Sequence, residues 1–398
     1  MIIADFGYVE GGAAKVALDS VRLLHEAGYK VVLFCGSERV DPLIDGLGIK
    51  IEKLGMYELK SNPSKLNAMI NGIWNRTAAA RLKECLTELD PKNTIVHIHS
   101  WTKILSPAIF SVLRKSGFRT VMTCHDYFLL CPNGAFFNFQ KKQICHCKGG
   151  GLRCLLCNCD ARSYLQKAWR WIRQQVVSYQ LLKFKALKLL TISALNEQIF
   201  REALRYGWEF LRVNNPLKLD EVMTNTDCKR GDAFVYVGRI SPEKGPALFA
   251  QAISECGVKG VMAGDGPMLE QLKGNYPNIK YLGWVSSDGV KRLLMTETAV
   301  LVFPSPLYEC SPLSPLEAMR FGVPCIISDA TAAVEYIEDG KTGLLFKSGD
   351  VEDLKRKIEQ MQDPQARAQF AANIRSSFDA DNWSEAAYIE RLNKVYEI

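Results

Sequence analysis

No run of 18 consecutive apolar residues occurs in this 398-residue chain, so no transmembrane helix is expected. The opening MIIADFGYVEGG has neither the basic stretch nor the apolar run of a secretory leader, and the expected location is the cytosol. The glycines of GYVEGGAAK, residues 7–15, follow neither the G-x-G-x-x-G nor the Walker pattern, which removes the motif grounds for a nicotinamide cofactor or ATP. No internal repeat and no low-complexity tract is present, so repeat and disordered architectures drop out. What remains is ordinary globular composition, 47% hydrophobic and 23% charged, long enough for two separate cores.

Charge is spread unevenly. Residues 1–215 carry 30 Lys+Arg against 17 Asp+Glu, and residues 216–398 carry 20 against 26. A basic half joined to an acidic half suggests that the first half meets something anionic. Nucleic acid, phosphorylated substrates and membrane lipid all qualify, and an incidentally basic surface is the plain alternative.

Short apolar runs alternate with helical patterns through residues 1–215. MIIADF, KVVLFCG, TIVHIHS, TVMTCHD and LKLLTIS predict strands, and AAKVALDSVRLLHEAG predicts a helix ended by Gly28. Residues 216–232 lose this rhythm and predict a linker. The rhythm then restarts with AFVYVG, GVMAG, IKYLGWV, AVLVFPS and PCIIS as strands. This βαβ alternation predicts two doubly wound α/β domains, 1–215 and 216–380, with ligands at the carboxyl ends of their strands. A last helix, 381–398, is expected to pack back on the first domain.

The most informative segment is YECSPLSPLEAMRFGVP, residues 308–324. Glu309 and Glu317 stand eight apart, with no basic residue between them. Ser314-Pro315-Leu316-Glu317 fits a capping box with proline at the first helical position. The open N–H groups of that helix start, with those of Ser311, Pro312 and Leu313 nearby, suit a phosphate (proline contributing no N–H), and flanking carboxylates suit sugar hydroxyls. In VGRISPEKG, Arg239 and Lys244 follow a strand end and could grip phosphate oxygens. Gly264 and Gly266 of AGDGP permit a tight turn. Gly11 and Gly12 offer a second helix-start cradle. His125 of TCHDYF sits at a strand end, where it is either a loop histidine bonded to backbone or a polarising group.

Six of the 13 cysteines, Cys131, Cys145, Cys147, Cys154, Cys157 and Cys159, crowd 29 residues together with His146. Their C-x-C-x6-C-x2-C-x-C spacing could hold a structural zinc; reduced free thiols and disulfides stay open beside it. Residues 161–188 hold seven Lys/Arg and no acid, with Trp169, Trp171, Tyr179 and Phe184 interleaved. Either this is an interfacial helix touching an anionic membrane, or its aromatics pack on the first domain and its charges are merely solvated.

Together these motifs resemble the retaining glycosyltransferases of family 4, also called glycosyl transferases group 1. The resemblance rests on Glu309…Glu317, the following EAMRFGVPCIISD and AAVEYIEDGKTGLLF, the G-R-x4-K stretch, AGDGP, YLGWV and VNNP at 213–216. It implies the GT-B fold, two Rossmann-like domains facing across a cleft. It further implies a nucleotide-diphospho-sugar donor, a glycan or lipid-linked acceptor, and a product in surface polysaccharide. No catalytic cofactor and no nucleic-acid partner are implied. Arg239 and Lys244 would neutralise the diphosphate, as would the backbone of Ser311, Pro312 and Leu313. Glu317 would hold the ribose and Glu309 the transferred sugar. Val285 and the Gly264–Gly266 turn would lie near the base, Gly11 and Gly12 near phosphate or acceptor, and His125 near the sugar. Retention of anomeric configuration is likewise implied by the resemblance. Two departures from the family stand out: Cys310 replaces a usual glycine, and the first strand begins at once, as if the chain starts late. Three other functions compete: a glycoside hydrolase with Glu309 and Glu317 as paired carboxylates, a sugar-nucleotide epimerase on a similar fold, and a non-catalytic membrane or scaffold protein.

Overall fold

The computed structural model describes residues 1–185, 187–204, 208–218 and 231–397. The expected linker at 216–232 and Cys228 lie mostly or wholly outside the described residues. The chain forms two compact units: Met1–Ala135 with His146–Pro216 and Trp383–Ile398, and Leu217–Asn382 with Phe136–Cys145.

The first unit is built on a seven-stranded sheet. Its strands are β1 (Ile2–Ala4), β2 (Val32–Cys35), β3 (Lys50–Lys53), β4 (Ile95–Ile98), β5 (Arg119–Thr123), β8 (Leu187–Thr191) and β9 (Phe210–Arg212). A two-stranded antiparallel hairpin, β6 (Phe137–Asn138) and β7 (Gln143–Ile144), interrupts the count and was not foreseen. The sheet order is β3-β2-β1-β4-β5-β8-β9, and every neighbour pairs parallel. Apolar residues are buried along β1, β2 and β4 because helices cover both faces of a doubly wound sheet.

The second unit repeats the plan with β10 (Ala233–Val237), β11 (Gly260–Ala263), β12 (Lys280–Gly283), β13 (Thr298–Phe303), β14 (Cys325–Ser328) and β15 (Gly343–Phe346). Their order is β12-β11-β10-β13-β14-β15, again all parallel. In each unit the order reverses once, between β1 and β4 and between β10 and β13. At such switch points the loops leaving the two strands diverge and open a crevice.

The C-terminal helix Glu385–Tyr396 packs on the first unit. Tyr388 Oη meets Ser20 Oγ at 2.7 Å, and Tyr29 Oη donates to Asn393 Oδ1 at 3.0 Å. Arg22 pairs with Glu385. Tyr388, Leu392 and Val395 join Leu18, Val21 and Leu33 in one apolar cluster.

Candidate active site

The second unit's switch point gathers most of the residues expected there. β10 ends at Val237, and the chain runs through Arg239 into a single turn, Pro242–Lys244. β13 ends at Phe303, and the next loop carries Ser305 and Glu309. Lys244 forms an ion pair with Glu309. Ser305 Oγ donates to the same Glu309 Oε1 at 2.8 Å. The base that sequence proximity denied to Glu309 is therefore supplied 65 positions upstream. Arg239 is more exposed and pairs with Glu243, while its Nε donates to Ser241 Oγ at 3.2 Å. Ser305, Ser241 and Glu243 were missed in sequence. Glu243 lies inside the G-R-x4-K stretch, and Ser305 sits two residues past a strand end, so position was the available signal.

The glycine turn closes against this loop. Ile240 N donates to Asp265 O (2.9 Å), and Gly238 N donates to Ala263 O (3.0 Å). Gly264 has φ +146°, and a Cβ there would lie 1.9 Å from the Gly238 carbonyl oxygen. A Cβ on Gly266 would come within 2.3 Å of Ile240 O. Glycine is thus demanded by backbone contact itself. Gly264 N also donates to Gly283 O (2.8 Å), which ties in the loop of half-buried Val285.

The capping box does not form. The helix spans Leu313–Arg320 with Pro312 as N-cap and no side-chain cap. It starts two residues early, which makes Ser314 its second residue and Glu317 its fifth, beyond reach of a box. Pro315 falls third, where its missing N–H costs nothing because first-turn N–H groups have no helical acceptor. The helix start keeps its orphan donors, and Ser311 Oγ is buried there without a partner. Tyr336 Oη donates to Pro312 O at 3.0 Å and steadies the loop. Uncapped N–H groups with a positive helix end and an ammonium nearby make an anion cradle.

In the first unit Gly11 caps the helix Gly12–Glu26 with φ +108°, no side-chain cap and no acid in the first turn. His125 follows β5. Its Nε2 meets His99 Nδ1 at 3.0 Å, and the His99 ring lies tilted beside His97 with centroids 4.1 Å apart. His97 uses both nitrogens, on Tyr396 Oη and Thr123 Oγ1, each at 2.7 Å. Burial holds these imidazoles neutral: His97 and His125 sink to about 3, and His99 falls well below its ordinary value. Asp126 is pushed the other way by burial, up to about 6. His125 is thus held by a partner on the neighbouring strand rather than by backbone alone.

The six clustered cysteines do not make one site. Cys145 belongs to the second unit and the other five to the first. Cys154 Sγ lies 3.0 Å from Lys167 Nζ, and Cys131 and Cys159 lie against the Asn133 amide.

The basic segment departs from the expectation that its charges are merely solvated. It forms the helix Tyr164–Leu182, and two of its cations point inward. Lys167 is fully buried; Arg173 donates to Thr102 O (3.0 Å) and lies over the Trp101, Phe128 and Trp169 rings. Leu165 (82% exposed), Ile172 and Tyr179 point outward. Trp169 Nε1 donates to Met69 O at 3.0 Å, joining this helix to the helix Lys65–Ile73, whose Leu66, Met69 and Ile70 are exposed as well. No helix among the described residues is long and apolar enough to cross a membrane.

Two parallel doubly wound sheets, each with one switch point, are the architecture of the GT-B class. Solved structures agree on the fold. HepE of Anabaena, in complex with UDP and glucose, superposes with TM-score 0.69 at 15% identity, covering 100% of this chain and 98% of that one. Sucrose-phosphate synthase of Thermosynechococcus elongatus gives 0.70 at 15%, covering 100% and 97%. The family models are more specific: "Glycosyl transferases group 1" matches residues 228–377 and "Glycosyl transferase 4-like domain" matches 11–179. The chain belongs to this glycosyltransferase family. Among curated relatives, the alpha-D-kanosaminyltransferase of Streptomyces kanamyceticus is 30% identical over 176 residues, 41% of this chain and 44% of that protein. The UDP-Gal:alpha-D-GlcNAc-diphosphoundecaprenol alpha-1,3-galactosyltransferase of Escherichia coli is 27% identical over 177 residues, 41% and 44%. The chain spans under half the length of these relatives.

Proposed function

We propose that the protein is a retaining glycosyltransferase that moves a sugar from a nucleotide-diphospho-sugar to a glycan or lipid-linked acceptor in surface polysaccharide synthesis. The observation that carries this reading is the cluster of Lys244, Glu309 and Ser305 beside the uncapped start of Leu313–Arg320. Leaving diphosphate builds negative charge as the glycosidic bond to the donor breaks. Lys244, Arg239 and the helix-start N–H groups stabilise that charge without a divalent ion. Glu309, held by Lys244 and Ser305, offers its second oxygen to sugar hydroxyls, and Glu317 serves the ribose. Incubation with a panel of nucleotide-sugars tests the reading: donor-dependent release of nucleoside diphosphate is expected, and release of free sugar phosphate or epimerised donor overturns it.

Two further parts of the reading are ours. The outward apolar row Leu165, Ile172 and Tyr179, flanked by exposed Arg162, Lys183 and Lys185, docks on an anionic bilayer surface. Vesicles containing anionic lipid should retain the protein, and Leu165→Ser with Ile172→Ser should release it; equal recovery on neutral vesicles counts against docking. The first unit's clustered cysteines, Cys147 and Cys157 among them, hold a structural zinc. Protein purified without chelator should carry about one zinc per chain, and Cys157→Ser should lose it; metal-free protein with native stability ends that assignment.

A further inference from the structure

A cavity of about 300 Å³ opens in the first unit. Tyr57, Asn62, Ser64, Asn67, Asn71 and Asn75 contribute to its wall, and no residue lining it is charged. That neutrality is notable within the basic half of the chain. Two of the asparagines build the wall. Asn75 Nδ2 donates to Ile104 O (2.9 Å) while its Oδ1 accepts from Ala78 N (3.0 Å), and Asn62 Oδ1 accepts from Ser64 N (2.9 Å). Asn67 and Asn71 behave differently. They stand four apart on the helix Lys65–Ile73, hence on one face, and their side-chain amides have no hydrogen-bond partner among the described residues. Tyr57 is 62% exposed and adds an aromatic face.

We propose that this groove is a binding subsite for one or two neutral sugar rings of the acceptor glycan, recognised by the Asn67 and Asn71 amides and by Tyr57. Each amide offers two donors and one acceptor oxygen, which matches the mixed donor and acceptor character of vicinal hydroxyls. An aromatic side chain lies flat against the apolar face of a pyranose and leaves its hydroxyls to the amides. The absence of charge excludes a phosphate guest, which would lack a counter-ion here. The volume lies at the lower end of the roughly 300–1,000 Å³ of ligand pockets and accommodates about one or two rings. The helix itself links the groove to the apolar row. Asn67 and Asn71 line the groove, while Leu66, Met69 and Ile70 are exposed to solvent on the same helix. A sugar joined to a lipid could therefore be held close to the surface where its lipid is embedded.

This inference rests on the transferase reading for the word acceptor, but its test does not. Saturation-transfer NMR of the full chain with methyl glycosides of glucose, galactose, mannose and N-acetylglucosamine, each at millimolar concentration and without nucleotide, reads sugar contact directly. At least one glycoside should receive saturation. Tyr57→Ala and the double variant Asn67→Ala/Asn71→Ala should each cut that signal about fivefold or more, as expected for one or two lost contacts. Thermal midpoints of these variants, whose altered side chains are exposed or half-buried, confirm that they fold. No saturation of any glycoside, undiminished transfer in both variants, or displacement by glucose 6-phosphate at lower concentration than by the neutral sugar overturns the subsite. If glycoside binding holds while no nucleotide-sugar is turned over, the groove stands and the transferase reading fails.

Discussion

The two units share a plan and differ in where they keep their charge. The second buries an almost wholly apolar sheet, and its cations and carboxylates sit in loops at strand ends, as Lys244 with Glu309 and Arg239 with Glu243. The first buries Asp5, His97, His99, Lys167 and Arg173. Asp5 illustrates the cost: three backbone N–H groups of Lys103, Ile104 and Leu105 bond its carboxylate, and burial still raises its pKa. Charge kept in loops can exchange partners when ligand arrives. Charge locked in a core instead fixes loop shape, here the segment that follows β4. The lesson is that one unit is built to change partners and the other to hold a surface still.

The strongest test of this contrast is Lys244→Ala. Nucleoside diphosphate release should fall about 100-fold or more, as for loss of one preorganised charge, with thermal stability almost unchanged because the pair lies in a loop. A large loss of stability would show that the loop charge is structural after all. Next is Gly264→Ala, where the Cβ would meet Gly238 O. Urea unfolding should show a loss of about 3 kcal/mol, and a value below about 1 kcal/mol would mean that the turn yields easily.

Acidification separates the units more gently. His97 and His125 titrate near 3 when folded and at their ordinary value when unfolded. Between these values the unfolded chain binds more protons, so stability is lost as pH falls below about 6.5. Asp126, raised to about 6, works in the opposite sense: folded, it binds its proton first, and acid stabilises it. The imidazoles outweigh it, and the first unit should lose stability from pH 7 to 5, offset in part by Asp126 and by Asp5, which burial also raises. The second unit contains no histidine and should stay level. Hydrogen exchange, corrected for its intrinsic pH dependence, reads both at once; parallel losses would erase the distinction. The smallest effect is Glu317→Ala, which should weaken donor binding about tenfold. Unchanged affinity in calorimetry would remove Glu317 from the ribose.

Legibility followed the same divide. Gly264, Gly266, Lys244 and Glu309 were visible because strand-end motifs in a parallel sheet converge by topology. The partnership of Lys244 with Glu309 was not, since it joins the ends of two strands 65 positions apart. The capping box failed because the helix, with Pro312 as its N-cap, begins two residues sooner. The helix Tyr164–Leu182 misled most. A pattern of cations and aromatics implies charges in water, but Lys167 finds the Cys154 thiol and Arg173 finds a carbonyl and three rings. Those partners lie on other elements, so the inversion is a tertiary fact that periodicity does not carry.

The glycine turn has a consequence for heredity. At codons 264 and 266 every other residue would drive a Cβ into a carbonyl oxygen of the facing strand end. Drift at these two positions is closed to single steps unless the loop at 238–240 is rebuilt first. The turn and that loop can therefore only diverge together, as one inherited block.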